Sequence, residues 1–199
     1  MVRVGISVEG TTEERFIKIL LEPYLSQKGI FVTPIPINGN VSIDRIKHEL
    51  EKLYYSFDYV STFYDFYGFK YKSDTETKTS LESKIRQSVK EELREKILPY
   101  IQMYEFEGLL FSSPEAISTI LQNNALTAWA KDVLAQFDNN PEKVNDSKET
   151  APSKRLEKAA DYRKTTHGPN ISRQIGLEKI RKMCSGFNDW LSKLESLVN

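Results

Sequence analysis

The sequence is poor in the residues from which many active sites are made. A single cysteine, Cys184, excludes an internal disulfide and any cysteine-based metal cluster, and with no histidine beside it in sequence it makes a poor nucleophile. Two histidines, His48 and His167, leave little for a zinc centre. No apolar run approaches the roughly 18 residues that suggest a membrane span. The N-terminus opens into a strand-like pattern without the basic segment, apolar stretch and cleavage site of a signal peptide, so a cytoplasmic protein with no membrane partner is expected. Gly10 follows the first apolar run without Gly-x-Gly-x-x-Gly or Gly-Lys-Ser/Thr, which leaves out nucleotide-binding loops of those kinds. Net charge is absent too: 28 basic residues meet 28 acidic ones, so the total says nothing about nucleic acid.

The distribution of charge says more. Residues 151–183 carry nine Lys/Arg against three Asp/Glu, whereas the acids of interest lie earlier. A basic tract folded over an acidic centre suits a polyanionic substrate held with a divalent cation; a solvated helical face is the competing reading.

Val2, Val4, Ile6 and Val8 alternate with Arg3, Gly5 and Ser7, a period-two strand ending at Glu9. Thr11 to Glu14 supplies a capping box, Thr11 with Glu14, and a helix follows through Phe16, Ile19, Leu20 and Tyr24 to Gly29. Ile30 to Ile37 reads as an edge strand, because Pro34 and Pro36 cannot donate to a ladder. A helix over Ser42 to Tyr55, a strand over Tyr59 to Tyr64 ending at Asp65, and a polar loop over Lys70 to Thr79 come next. Leu81, Ile85, Val89, Leu93 and Ile97 mark one stripe of a charged helix, and Tyr100 to Tyr104 forms a fourth strand ending at Glu105. Beyond Pro114 the pattern is helical and polar, with a loop at Asn139 to Thr150 and closing helices near Ile175 to Met183 and Phe187 to Leu197. Strands alternating with helices predict an α/β protein with a parallel sheet of about four strands flanked by helices. Residues 1–112 form the core, and 113–199 a helical portion packed on it.

Glu9, Asp65 and Glu105 each end a predicted parallel strand, and in open α/β sheets the ligand crevice lies outside those ends. Carboxylates gathered there repel one another and need a cation to stay ionised. Oxygen ligands without cysteine favour Mg²⁺ or Mn²⁺. Glu13 lies one helical turn beyond Glu9, and Glu107 follows Glu105 by two, so that Phe106 faces the core while both acids face one way. The competing reading is that acids after strands cap helices or form turns. The aromatic run from Tyr54 to Phe69 reads chiefly as core and rim, with base stacking as the alternative. His48 is given no role.

The segments VEGTTEERF, YDFYG and YEFEGLLF resemble the Toprim fold of topoisomerases, primases and OLD-family nucleases. With APSKRL, DYRKTTHG and CSGFNDWLSKLE, six pieces in order make nearly the whole chain similar to the DUF4276 family of bacterial Toprim-like proteins. The resemblance implies a metal-dependent nuclease acting on DNA or RNA. It matches Glu9 to the glutamate after the first strand, Asp65 to the first residue of an Asp-x-Asp, Glu13 to an acid four residues after the glutamate, and Glu105 and Glu107 to a further acidic pair. Tyr67 stands where the second aspartate belongs, which leaves one or two metals open. A lysine from a later segment is implied, with Lys154 and Lys164 both candidates.

On that footing Glu9, Glu13, Asp65, Glu105 and Glu107 are the metal ligands, with Glu9 or Glu13 as acid–base group. Lys154, Arg155 and Lys164 bind nucleic acid and neutralise charge on the scissile phosphate, and His167 contacts the leaving group or a phosphate. An ABC-type ATPase partner in a phage-defence module is implied by the resemblance alone, and a homo-oligomer is compatible with it. Two other readings stand beside the nuclease: a Toprim-like module that binds nucleic acid or phosphate without cutting, and a hydrolase of small phosphate esters.

Overall fold

Strand β1 (Val2–Val8) is the spine of the sheet. Its alternating sequence suggests one buried face, yet Gly5 and Ser7 are as buried as Val4, Ile6 and Val8. The reason is its position. β2 (Ile30–Pro36) pairs parallel on one side, from Val2 with Ile30 to Val8 with Pro36, and β3 (Tyr59–Asp65) on the other, from Val4 with Tyr59 to Val8 with Phe63. A Cβ at Gly5 would stand 2.6 Å from the Phe57 ring, so glycine lets that ring close over the strand. The Ser7 hydroxyl accepts a hydrogen bond from Tyr64 at 2.6 Å, which satisfies both buried groups. These findings come from a computed structural model that describes residues 1–145 and 147–198; Asp146, within the expected loop at Asn139 to Thr150, and Asn199 lie outside the described residues.

The strand order is β2-β1-β3-β4, with β5 also on β3, all parallel. The expected α/β sheet is therefore present, and β2 lies at its edge as its prolines require. The fourth strand differs from expectation. It consists of β4 (Ile97–Leu98) and β5 (Ile101–Gln102), separated by Pro99 and Tyr100. Pro99 has no N–H to give. The Thr62 side chain bridges the gap, donating to the Tyr100 carbonyl at 2.8 Å and accepting from the Tyr100 N–H at 2.9 Å.

The helical stripe ending in Ile97 is corrected likewise. Helix α4 (Lys78–Ser88) stops before Val89, and a 3₁₀ stretch, Glu91–Lys96, leads into β4. Val89, Leu93 and Ile97 are nevertheless buried, at 2, 5 and 0% exposure. A four-residue apolar spacing reaches one core through three backbone conformations, which periodicity cannot distinguish.

α1 (Thr11–Phe16) runs on through a π turn, Ile17–Leu21, into α2 (Glu22–Ser26). Its cap is Gly10, one residue earlier than expected. Gly10 is extended, and its N–H donates to the Glu13 carboxylate at 3.0 Å; Glu14 instead pairs with Lys18 at 2.5 Å. Phe16 then enters the core against Phe106, Phe63 and Phe187, with ring centroids 5.1, 5.7 and 5.9 Å away. Truncating such a side chain costs about 3–5 kcal/mol.

Each face of the sheet carries a core. α3 (Ile43–Leu53) and α4 cover one, with Ile46, Leu50, Val60, Leu81 and Ile101. On the other, α1 and α2 are joined by α5 (Pro114–Ile120), α6 (Ala125–Ala135), α7 (Pro152–Ala159), α8 (Lys164–Ile175), α9 (Leu177–Met183) and α10 (Ser185–Glu195). α10 is fastened to the broken strand by Trp190, which stacks on Tyr100 at 4.7 Å and donates to the Ser61 hydroxyl at 2.9 Å. Among the described residues no helix is long and apolar enough to cross a membrane.

α8 matters most for the site. Pro169 lies inside it and cannot donate to the Thr165 carbonyl one turn back. Arg15 of α1 supplies the missing donor at 2.5 Å. Gly168 completes the contact, since a Cβ there would stand 2.9 Å from the Tyr162 hydroxyl and 3.1 Å from Phe106. The first turn of α8, with Lys164, is thereby fixed over the carboxyl ends of the strands.

Candidate active site

Glu9 leaves β1 at its carboxyl end and Asp65 ends β3. Glu13 is brought back beside Glu9 by its bond to the Gly10 N–H. Asp65 accepts from the Phe106 N–H at 2.7 Å, which ties the end of β3 to the chain after β5. Glu105 is extended and accepts from the Ser153 N–H, the start of α7, at 2.8 Å. Phe106 turns into the core as expected, but Glu107 arrives in a 3₁₀ turn, Phe106–Ser112, rather than a strand. Glu105 and Glu107 still share a focus: Lys164 Nζ lies 3.8 Å from Glu105 and 3.6 Å from Glu107.

Glu105 and Glu107 thus flank Lys164, whose charge also acts on Glu9, Glu13 and Asp65. Burial, then Glu13, lifts the Glu9 carboxyl to about 7, against the pull of Lys164. Burial likewise lifts Glu107 to about 7 and raises Glu13. Asp65 is pushed well up by burial and by Glu13, Glu9, Glu107 and Glu105 around it. For Lys164 burial acts downward, but Glu107, Glu105, Asp65 and Glu13 outweigh it and keep the ammonium charged.

Gly68 sets the closeness of the packing. A Cβ there would fall 2.2 Å from Glu9 Oε2, so no other residue fits beside that carboxylate as it stands. That oxygen is buried and has no hydrogen-bond partner. Among the described residues the other buried side-chain atoms in this condition are Ser153 Oγ and Asn145 Oδ1. Ser153 contacts Glu105, and Asn145 donates to Tyr67 at 2.5 Å. Glu9 and Ser153 thus each bring an unpaired buried oxygen to the region of the acids.

The donor set, oxygen throughout with one carboxylate oxygen unpaired, has the chemistry of a hard divalent cation site. It is not drawn closed: among the described residues no three His, Cys, Asp or Glu side chains converge to hold one ion. Backbone N–H groups engage Glu13, Asp65 and Glu105, and Lys164 supplies positive charge.

The basic candidates divide. Lys154 is exposed and pairs with Glu157 at 2.6 Å, away from the acids. Arg155 donates to the Thr150 carbonyl at 2.7 Å and lies 5.2 Å over the Phe137 ring. His167 is half-buried within α8. Its Nδ1 accepts from the Arg163 N–H at 3.0 Å and its ring lies 6.1 Å from that of Tyr162. His48 is exposed on α3.

Two neighbours escaped the sequence reading. Tyr162 donates to Glu107 at 3.2 Å, and Ser153 gives its N–H to Glu105. Pro152, favoured in a helix's first turn, was the available signal for the start of α7; Tyr162 had only its place two residues before Lys164.

Compared with known protein families, residues 8–195 match the family described as domain of unknown function (DUF4276). The chain belongs to the DUF4276 family. Every acid of the site, Lys164 and both neighbours lie within the matched span. No curated protein and no solved structure matches this DUF4276 chain.

Proposed function

We propose that this DUF4276 protein is a divalent-metal-dependent nuclease of Toprim-like type. The observation that carries the reading is a set of acids at the strand ends that act on one another, Glu105 and Glu107 lying within 3.8 Å of Lys164 Nζ, with one Glu9 oxygen buried and unpaired. Glu9, Asp65 and one of Glu105 and Glu107 hold Mg²⁺ or Mn²⁺, and Glu13 supports them. When bound, the ion polarises a phosphodiester and lowers the pKa of water.

The chain's own groups do the rest. Glu13 Oε2 is engaged with the Gly10 N–H, and burial raises the pKa of that carboxyl, which favours the protonated form that a general acid needs. Lys164 lies beyond hydrogen-bond length from both glutamates, so its donors can turn to a phosphate oxygen. Tyr162 orients Glu107. His167 Nδ1 is occupied, which leaves Nε2–H to donate to a phosphate or leaving group. Lys154 and Arg155 act farther out, on the backbone of a longer strand.

One observation favours a second reading, a module that binds without cutting. Tyr67 occupies the place of an acid, its hydroxyl is engaged by Asn145, and the carboxylates are not closed on one point. Purified protein incubated with single- and double-stranded DNA and RNA in Mn²⁺, Mg²⁺ or chelator decides between them. The nuclease reading predicts cutting that needs the metal and is lost in Asp65→Asn. Binding without cutting favours the module, and turnover of small phosphate esters alone favours a phosphoesterase. The resemblance to OLD-family nucleases also implies an ABC-type ATPase partner in phage defence, which neighbouring genes would test.

A further inference from the structure

The aromatic run between Tyr54 and Phe69 divides in the fold. Phe63, Tyr64 and Phe69 are buried. Phe66 and Tyr67 are not: they follow Asp65 directly and are joined by Tyr104, which directly precedes Glu105. Tyr104 lies 5.5 Å from Tyr67 and 6.5 Å from Phe66, ring centre to ring centre, inclined to them by 51° and 90°, and all three residues are half-buried, Phe66 packing against the core under α3 and α4. The Tyr67 N–H donates to the Tyr104 carbonyl at 3.0 Å, so the two segments hold one another.

The backbone there is not what packing alone would select. Tyr104 has φ 59° and Tyr71, in the next loop, φ 65° with 95% of its surface exposed. Bulky residues rarely adopt such conformations, and strain of this kind gathers at functional sites. The loop is also cationic. Lys72 Nζ stands 5.0 Å over the Phe66 ring and 5.6 Å over the Tyr67 ring, and Lys70 is bonded to Asn40. The ammonium marks an accessible ring face.

We infer that Phe66 and Tyr67, braced from the side by Tyr104, form a shelf on which one unpaired base stacks against a single ring, so that the substrate is a single-stranded stretch of nucleic acid with a phosphate presented to the acidic centre. This rests on the nucleic-acid reading of that centre. Bases inside a duplex have both faces covered and cannot lie on such a shelf, whereas a single strand offers them freely. The adjacency is covalent, since each segment of the shelf adjoins an acid of the site. Lys70 and Lys72 take the flanking backbone phosphates, Lys72 giving up the ring face as the base arrives.

The experiment uses the full chain in chelator, so that no cutting intervenes. Fluorescence anisotropy is measured with a labelled oligothymidylate, the same strand with abasic sugars at its centre, and a duplex of equal length. The shelf predicts single-strand binding about tenfold or more tighter than duplex, and a loss of about tenfold on removing the bases. The same loss is expected for Phe66→Leu with Tyr104→Asn, asparagine tolerating the positive φ, while duplex affinity stays unchanged. Equal affinity for normal and abasic strands overturns the shelf, and needs no variant to fold. Selective binding with no cutting on adding Mn²⁺ leaves the shelf standing and sinks the nuclease; cutting with base-independent binding does the reverse.

Discussion

Lys164 Nζ stands 3.6 Å from Glu107 Oε2 and 3.8 Å from Glu105 Oε1, an ammonium set directly against the acid centre. Its removal should act in two opposed ways. Lys164→Gln should lower stability in chelator by roughly 1–2 kcal/mol, below the range for a fully buried pair because the lysine side chain is 41% exposed. It should tighten Mn²⁺ binding, since a like charge is gone, and cut phosphodiester turnover by about a hundredfold. Denaturant titration, Mn²⁺ titration and turnover check the three signs; weaker Mn²⁺ binding would contradict them.

Lys154→Ala should leave turnover within about threefold of the parent and reduce the salt slope of strand binding by up to one ion. A loss of turnover equal to that of Lys164→Gln would show that α7 moves over the site.

Stability should depend on pH in the direction the buried acids set. Glu9 and Glu107 carry pKa values lifted from 4.5 to about 7. Between those values the folded chain holds protons that the unfolded chain has released, so their contribution is most favourable below 4.5 and is lost as pH rises through about 7. In chelator the melting temperature should rise as pH falls from about 8 toward 5.5. Glu107→Gln should flatten that slope and stabilise at about pH 8 by on the order of 3 kcal/mol. A flat profile would mean that the acids are solvated, and a slope of opposite sign that ion pairing outweighs their burial.

Gly68→Ala places a methyl carbon 2.2 Å from Glu9 Oε2, so the carboxylate or the 3₁₀ turn carrying Gly68 must move. The expected cost is about 1–3 kcal/mol of stability, with Mn²⁺ affinity reduced about tenfold or more. Unchanged affinity, read by calorimetry, would remove Glu9 from the ligand set.

The sheet and its acids were legible because both are short-range signals. β1 and β3 show apolar runs that stop on an acid, and Pro34 and Pro36 announce an edge. What escaped was set by partners distant in sequence. The break at Pro99 is bridged by Thr62, and the helix over Lys164 tolerates Pro169 because Arg15 supplies a donor from α1. The choice between Lys154 and Lys164 could not be read from spacing, since both follow basic patterns; it appears only when α8 packs against α1. The cap moved from Thr11 to Gly10 because the Glu13 carboxylate reaches back to the Gly10 N–H, one residue sooner than the Glu14 to Thr11 pairing.

On the proposed function Glu9 and Asp65 hold a divalent cation, which isothermal titration of Mn²⁺ into the protein in its metal-free form near pH 7.5, repeated on Glu9→Gln and Asp65→Asn, puts to the test. Saturable binding is expected in the parent, weakened at least tenfold or abolished in each variant while their melting in chelator stays cooperative. Absence of Mn²⁺ binding in the parent, or binding equal in all three proteins, would contradict it.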